Sequence, residues 1–158
     1  GCLYFGLMLT ENGPRVIEYN CRFGDPEAQV VLPLLDCDLL EVMIAVSEGR
    51  LADADVRIRD GCAACVIVAS GGYPGKYQTG YEISVPEDAA DSIIYAGVRA
   101  SGNKIFTSGG RVLGVTATAK TLKEALDEAY AKAAKVKFEN AFYRRDIGKK
   151  ALCAAEAK

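Results

Sequence analysis

The stretch of sequence that decides the fold is Val16-Ile17-Glu18-Tyr19-Asn20-Cys21-Arg22-Phe23-Gly24-Asp25-Pro26-Glu27. Side chains alternate between the two faces of a strand, so Glu18, Asn20 and Arg22 project from one face. The apolar residues between them, Ile17 and Tyr19 among others, project from the other face, which we expect to lie on the core. The polar face therefore presents a carboxylate, an amide oxygen and a guanidinium in a row.

This polar face has the chemistry of a metal and phosphate site. Carboxylate and amide oxygens are ligands that Mg²⁺ prefers, with phosphate oxygens completing its octahedron, so Glu18 and Asn20 suit the ion. The guanidinium of Arg22 can form bidentate hydrogen bonds to phosphate oxygens. Gly24 and a helix expected to start at Pro26 would add backbone N–H groups and a positive dipole end. The same alternation is also typical of a solvent-facing strand without any function, and spacing alone leaves both interpretations open.

The region before residue 60 is predicted to contain a β-hairpin and two helices. The predicted strands are residues 2–10 and 15–22, and the predicted helices are residues 26–35 and 36–48. An Asn-Gly pair between the strands favours a tight turn. Asp25 is the expected N-cap of the first helix, and Pro33 should kink or end it. The second helix is predicted to be an amphipathic core helix that stops at Gly49.

The region after residue 60 changes to short strands separated by glycine-rich turns, which predicts a mostly antiparallel sheet or small barrel. The predicted strands are residues 63–69, 81–85, 92–98, 104–107 and 111–119. A helix over residues 121–136 begins with a capping box of Thr121 and Glu124 and is expected to pack on the sheet. The alanine-rich residues 151–158 are expected to fray. The fold class is therefore α+β, with domains at residues 1–60 and 61–158.

Composition excludes several classes of function. Nineteen basic and 21 acidic residues give a net charge of −2, and no basic run suggests a nucleic-acid partner. No apolar stretch reaches the ~20 residues that span a bilayer, so no membrane partner is expected. Six cysteines scattered through apolar segments suit free thiols in a reducing compartment, which predicts a cytoplasmic protein.

The chain contains no histidine. Cys62 and Cys65 form a C-x-x-C, but a zinc site needs four ligands and no second pair follows. Without histidine the commonest general base and every Ser-His-Asp arrangement are missing. We therefore expect no residue with an acid–base role, and chemistry that rests on positioning, charge and metal ions.

The stretch at residues 16–27 resembles the end of the ATP-grasp domain in the glycinamide ribonucleotide synthetase (phosphoribosylamine-glycine ligase) family. The resemblance continues in the family's order through residues 69–75 (ASGGYPG), 109–113 (GGRVL) and 143–148 (YRRDIG). It implies a ligase of purine synthesis that joins glycine to 5-phosphoribosylamine through a glycyl phosphate. ATP is consumed with Mg²⁺ (or Mn²⁺), and ADP and phosphate are released. It also implies that residues 1–60 end an ATP-grasp domain and residues 61–158 form the C-terminal domain.

The resemblance assigns the metal ligands. By match to the family's motif, Glu18 and Asn20 would hold the ion that bridges ATP phosphates. Arg22, Gly24 and Asp25 are expected to contact phosphate or the ribose of phosphoribosylamine. The alternative for Arg22 is a local salt bridge to Asp25 or Glu27.

In the C-terminal domain the expected substrate contacts are the loop residues Gly71, Gly72, Tyr73 and Pro74 and, separately, Arg111. A tight turn without function is the alternative for the loop. Residues 143–146 are expected to be a structural ion-pair cluster.

The sequence also departs from the family's pattern. The family carries an N-terminal domain and most of the ATP-grasp domain before this point, so these missing domains are expected partners, and the chain alone is expected not to turn over. Residues 4–9 contain no carboxylate, which makes a second Mg²⁺ doubtful. Two other functions stay open, a non-catalytic binding module that keeps the fold and a sibling ATP-grasp ligase with another acid or amine.

Overall fold

A computed structural model describes residues 1–156 and divides the chain into two compact units, Gly1–Arg59 and a second unit from Asp60 onward. All strand pairings among these residues are antiparallel, and helices accompany the strands in both units. The predicted α+β class is confirmed at this level. Every helix in the described part of the chain is too short or too polar to cross a membrane.

The first unit opens with the predicted hairpin. Strand β1 (Tyr4–Thr10) pairs with β2 (Gly13–Asn20). Gly13 has a φ of +87°, a conformation that glycine adopts without steric cost, and the Thr10 hydroxyl donates to its carbonyl at 2.7 Å. The turn between the strands thus follows from local sequence, as expected.

The prediction that one face of β2 lies on the core is wrong. Ile17 is 63% exposed and Tyr19 is 60% exposed. Tyr19 packs edge-on against Phe5, with ring centroids 5.1 Å apart. Because the hairpin is a two-stranded sheet, this aromatic pair leaves both rings largely open.

The first helix is shorter than predicted. Helix α1 covers Ala28–Val31 and continues into a 3₁₀ turn, Leu32–Leu34, which contains Pro33. Glu27 rather than Asp25 occupies the N-cap position, without a side-chain cap hydrogen bond, and the Asp25 carboxylate accepts from the side-chain amide of Gln29 at 3.0 Å. A four-residue helix starting at Ala28 does not supply the dipole that was expected at Pro26.

Helix α2 (Leu39–Ser47) ends before Gly49, as predicted, but begins three residues after the predicted start at residue 36. Its N-cap Asp38 accepts from the Leu40 amide at 2.7 Å. After Gly49, at φ +71°, the Arg50 amide donates to the Ala45 carbonyl at 2.9 Å, closing a Schellman motif. The expectation of a core helix is wrong, since Ala45 is its one buried residue and apolar side chains such as Leu40 remain exposed.

As far as Glu156, the second unit holds six strands and two helices. They are β3 (Cys62–Ser70), β4 (Ile93–Tyr95), β5 (Val98–Ser101), β6 (Lys104–Thr107), β7 (Arg111–Ala119), α3 (Leu122–Ala133), β8 (Ala141–Phe142) and α4 (Lys149–Glu156). One sheet has the order β4-β7-β3-β8, and β5 and β6 form a separate pair. Short 3₁₀ turns at Leu51–Asp53 and Glu87–Ser92 complete the described elements.

The core of the second unit lies between the β3–β7 pair and α3. Val66, Val68 and Leu113 are almost fully buried, and Ala125 and Ala129 of α3 pack against them. The capping box is confirmed, since the Thr121 hydroxyl accepts from the Glu124 amide while the Glu124 carboxylate accepts from the Thr121 amide. The loop after β3 and the turn before β7 extend from this packed layer.

Several predicted elements of the second unit differ. The segment 81–85 forms only isolated bridges, at Glu82 and Ser84, and the segment 92–98 is interrupted before β5. The interruption lies at Gly97, whose amide bonds to the Arg111 carbonyl at 2.9 Å and leaves the ladder between β4 and β7. The end of the chain, expected to fray, is helical to Glu156, and residues 157–158 lie outside the described residues.

Candidate functional site

Glu18 and Asn20 lie side by side on β2, as their spacing predicts. The Asn20 amide nitrogen donates to Glu18 Oε1 at 3.0 Å. Across the hairpin they pair with Gly6 and Tyr4. A Cβ at Gly6 would lie 2.9 Å from Glu18 Cγ, so the missing side chain makes room for this carboxylate. Sequence reasoning missed Gly6, which only the strand register reveals.

Tyr4 and Glu27 extend this polar face. Desolvation of the half-buried phenol, a hydrogen bond with Glu27 and the negative charges of Glu27 and Glu18 raise the pKa of Tyr4 above its usual value. The phenol therefore stays protonated and donates to Glu27. Sequence reasoning missed Tyr4 as well, although its position opposite Asn20 follows from the hairpin register.

The three residues expected to contact phosphate or ribose have local partners. The guanidinium of Arg22 donates to the Phe23 carbonyl at 2.8 Å, and the Asp25 carboxylate accepts from Gln29. Gly24 is buried, and a Cβ there would lie 2.9 Å from Glu27 Cβ. Gly24 thus allows the chain to fold closely over Glu27, and its place in the motif has a packing reason.

The donor set suits a metal ion that is held only partly by protein. Among the side chains of residues 1–154, no group of three or more His, Cys, Asp or Glu could hold an ion. One carboxylate and one amide oxygen are two hard ligands, and Mg²⁺ usually keeps several waters or phosphate oxygens besides one or two protein groups. Glu18 and Asn20 therefore fit such an ion as two of its ligands.

In the second unit, the loop after β3 is attached to the turn before β7. The buried Ser70 donates its hydroxyl to the Gly109 carbonyl at 2.9 Å and its amide to the Gly110 carbonyl at 2.8 Å. The ring of Tyr73 lies directly over Gly110, where an added Cβ would come within 2.7 Å of Tyr73 Cε2. The structure thus brings the predicted loop residues beside the turn that leads into Arg111.

The loop itself is tightly folded. Gly72 has a φ of +96°, and a Cβ there would collide with the Lys76 carbonyl. The Tyr73 amide donates to the Ser70 carbonyl at 3.1 Å, and Pro74 follows in the turn. The rings of Tyr73 and Tyr77 pack edge-on at 6.1 Å. Backbone packing thus requires Gly72, and it also restricts Gly71, where a Cβ would lie 2.8 Å from the Asn140 carbonyl oxygen.

Residues 143–146 form the predicted ion-pair cluster. Arg144 donates to both carboxylate oxygens of Asp146, at 2.9 and 2.7 Å, and this contact lowers the pKa of Asp146 below its usual value. The Tyr130 hydroxyl donates to the Arg144 carbonyl at 2.9 Å and accepts from the Ile147 amide at 3.0 Å. The cluster attaches this segment to α3.

Comparison with known proteins defines the class first. Residues 1–28, which hold the hairpin and the Glu18–Asn20 pair, match the model described as "Phosphoribosylglycinamide synthetase, ATP-grasp (A) domain". Residues 63–150 match "Phosphoribosylglycinamide synthetase, C domain". The chain belongs to the phosphoribosylglycinamide synthetase family, which confirms the resemblance read from its motifs.

Individual relatives agree with this assignment. The chain is 49% identical over 148 residues to the phosphoribosylamine–glycine ligase of Caldanaerobacter subterraneus, covering 93% of this chain and 36% of that protein. It is 48% identical to the human trifunctional purine biosynthetic protein adenosine-3, covering 96% of this chain and 15% of the relative. The crystal structure of the ligase from Thermotoga maritima superposes with a TM-score of 0.74 at 40% identity, covering 92% of this chain and 36% of that chain.

Proposed function

We propose that this chain supplies the C-terminal part of a phosphoribosylamine–glycine ligase, a purine-biosynthesis enzyme that joins glycine to 5-phosphoribosylamine. ATP would phosphorylate the glycine carboxylate, and the amine would displace phosphate from this glycyl phosphate to give glycinamide ribonucleotide. The observation that carries the proposal is the match of 93% of the chain to a relative of that name.

On the polar face, Glu18 and Asn20 are the proposed ligands of Mg²⁺ (or Mn²⁺). When bound, this ion would neutralise charge on the ATP phosphates. Gly6 leaves space for the Glu18 carboxylate, and the hydrogen bond from Asn20 holds both side chains on the same side of β2. The protonated Tyr4 donates a hydrogen bond to the Glu27 carboxylate, so Glu18 is the carboxylate that remains available to bind a cation.

The remaining substrate contacts are proposals of the same kind. In the first unit, the proposed contacts to phosphate or ribose are Arg22, Gly24 and Asp25. Arg22 is exposed, so its guanidinium is accessible to such a ligand. In the second unit the proposed contacts are the loop at residues 71–74 and the neighbouring Arg111. The support for this second group is the set of Ser70 bonds that hold the loop and the turn together.

The 158 residues alone are proposed not to turn over. They span 36% of the length of a bacterial relative and match the ATP-grasp domain over residues 1–28 only, so the other substrate-enclosing segments must come from the rest of such an enzyme. We also propose a cytoplasmic location. Cys2, Cys21, Cys37, Cys62 and Cys153 are free thiols, which supports a reducing compartment.

The test is ADP release by the complete parent enzyme and by the 158-residue chain. Release by the parent should require both glycine and phosphoribosylamine, and the 158-residue chain should show none. Release driven by another acid or amine would identify a sibling ligase and refute the substrate assignment. Turnover by the isolated chain would refute the need for the other segments.

The metal assignment is tested by Glu18→Gln and Asn20→Ala in the parent. Both should lower kcat and raise the Mg²⁺ concentration needed for half-maximal rate, since each removes one of two protein ligands. Glu11→Gln, at the exposed hairpin turn, is the matched control and should change neither quantity. An unchanged Mg²⁺ requirement in Glu18→Gln would contradict the assignment.

A further inference from the structure

A cleft of about 380 Å³ lies beside the loop that follows β3. It is lined by Gly71, Lys76, Tyr77, Gln78, Tyr81 and Asn140. Its volume falls at the lower end of the roughly 300–1,000 Å³ of small-molecule sites. Apart from Gly71, none of these residues was predicted as a site residue from the sequence. Asn140 is distant in the chain from the loop, so only the fold brings it to the cleft.

The cleft is rich in hydrogen-bond donors. Among its described lining residues, Lys76 carries a positive charge and no carboxylate balances it. The Tyr81 hydroxyl donates to Gln78 Oε1 at 2.7 Å, which occupies that acceptor and leaves the amide nitrogen of Gln78 with its two donors. An ammonium, an amide N–H group and the Tyr77 phenol suit an anion that also carries hydroxyl groups.

One residue that lines the cleft has an uncommon backbone conformation. Asn140 has a φ of +61°, the one non-glycine residue with a positive φ among those described. A Cβ at Gly71 would lie 2.8 Å from the Asn140 carbonyl oxygen, so the two segments approach as closely as a glycine allows. Asparagine adopts this conformation readily, and the close approach to Gly71 fixes its place at the cleft.

We propose that this cleft binds a sugar phosphate, with Lys76 as the charged ligand of the phosphate and Gln78 and Asn140 as partners of the sugar hydroxyls. Its identification with the phosphoribosyl group of the amine substrate rests on the proposed function. The inference deepens that function by placing this group in the second unit, beside the loop expected to contact substrate. Of the two alternatives for Arg22, Gly24 and Asp25, it favours contact with phosphate of ATP over contact with the ribose of the amine.

The test is a chemical-shift titration of the ¹⁵N-labelled 158-residue chain with ribose 5-phosphate. We expect saturable shifts at the amides of Gly71, Lys76 and Asn140, with a dissociation constant of about 1–10 mM, as befits a half-open site. Ribose should bind at least about tenfold more weakly, because it lacks the charged group. Shifts that are absent, or that spread evenly over surface lysines, would overturn the proposal.

Two variants separate binding from folding. Lys76→Met should weaken ribose 5-phosphate about tenfold, while Lys120→Met, an exposed lysine outside the cleft, should have no effect. Asn140→Gly retains the positive φ and removes the amide, so it should weaken binding without loss of stability. Equal affinity in Lys76→Met and the native chain would refute the assignment.

Two further arms identify the ligand and separate this inference from the proposed function. ADP should bind the cleft more weakly than ribose 5-phosphate, and the reverse order would refute the choice of a sugar phosphate. In the parent enzyme, Lys76→Met should raise the KM for phosphoribosylamine and leave the KM for ATP unchanged. If the parent is inactive with phosphoribosylamine while the cleft still binds ribose 5-phosphate, the proposed function fails and the site stands.

Discussion

Gly110→Ala tests whether the ring of Tyr73 is held against the turn before β7. The backbone at Gly110 does not have a positive φ, so alanine meets no conformational barrier there. The new methyl group would instead overlap the Tyr73 ring, since its position lies 2.7 Å from Cε2 and 3.1 Å from Cγ. The ring must move, and its edge-on contact with Tyr77 must change with it.

The magnitude follows from how freely the ring can move. Overpacking in closed cores costs about 1–3 kcal/mol. Tyr73 is 36% exposed and can yield toward solvent, so we expect the lower half of that range, about 1–2 kcal/mol. In a Tyr73→Ala background the clash is gone. Gly110→Ala should then be neutral or stabilise by about 0.4–1 kcal/mol, because alanine restricts the unfolded chain.

The assay is native-state hydrogen exchange at β7 amides such as Val112 and Leu113, which reports the opening free energy of the second unit alone. The four chains of the double-mutant cycle should give a coupling energy of about 2 kcal/mol between positions 73 and 110. A neutral Gly110→Ala in the native background would refute the reasoning. An equal loss of stability from Gly110→Ala in the native chain and in the Tyr73→Ala background would also refute it.

Two more predictions concern the second unit. Thr121→Ala should lower the opening free energy of this unit in hydrogen exchange by about 1 kcal/mol, because the hydroxyl that accepts from the Glu124 amide is lost. The control Thr79→Ala, at an exposed position, should leave that free energy unchanged. Equal losses in the two variants would contradict the capping argument. The pKa of Asp146 is lowered in the folded state, so its contact with Arg144 stabilises the fold above about pH 4 and loses this effect as pH falls through the folded pKa. In a carboxyl NMR titration, Arg144→Met should raise the pKa of Asp146, and the control Arg99→Met should leave it unchanged. An unchanged Asp146 pKa in Arg144→Met would show that the contact with Arg144 does not lower it.

Local signals in the sequence predicted the ends of elements well. The capping box at Thr121 and the stop at Gly49 both use hydrogen bonds that close within a few residues. Asp25 shows where this reasoning fails. The residue type and the following proline predicted a cap, but the side chain of Gln29 competes for the carboxylate, and pattern alone does not rank the two partners.

Burial was less predictable than element type. The alternation along β2 correctly placed Glu18 and Asn20 together, since the period of a strand is a property of its backbone. The same alternation did not reveal that Ile17 and Tyr19 remain exposed. Burial of an apolar face is favourable, but whether the face is covered depends on which other segments are present to pack on it.

The sequence by itself determined the family, the hairpin with its Glu18–Asn20 pair, and the glycine-rich motifs, because each depends on residues close together in the chain. Only the tertiary structure decided that Ser70 bonds to Gly109, a separation of 39 residues, and that Tyr73 lies on Gly110. It also placed Asn140 beside Gly71 and so formed the cleft. These contacts arise from the pairing of β3 with β7 and β8, and the register of such long-range pairing is selected by packing of the whole sheet.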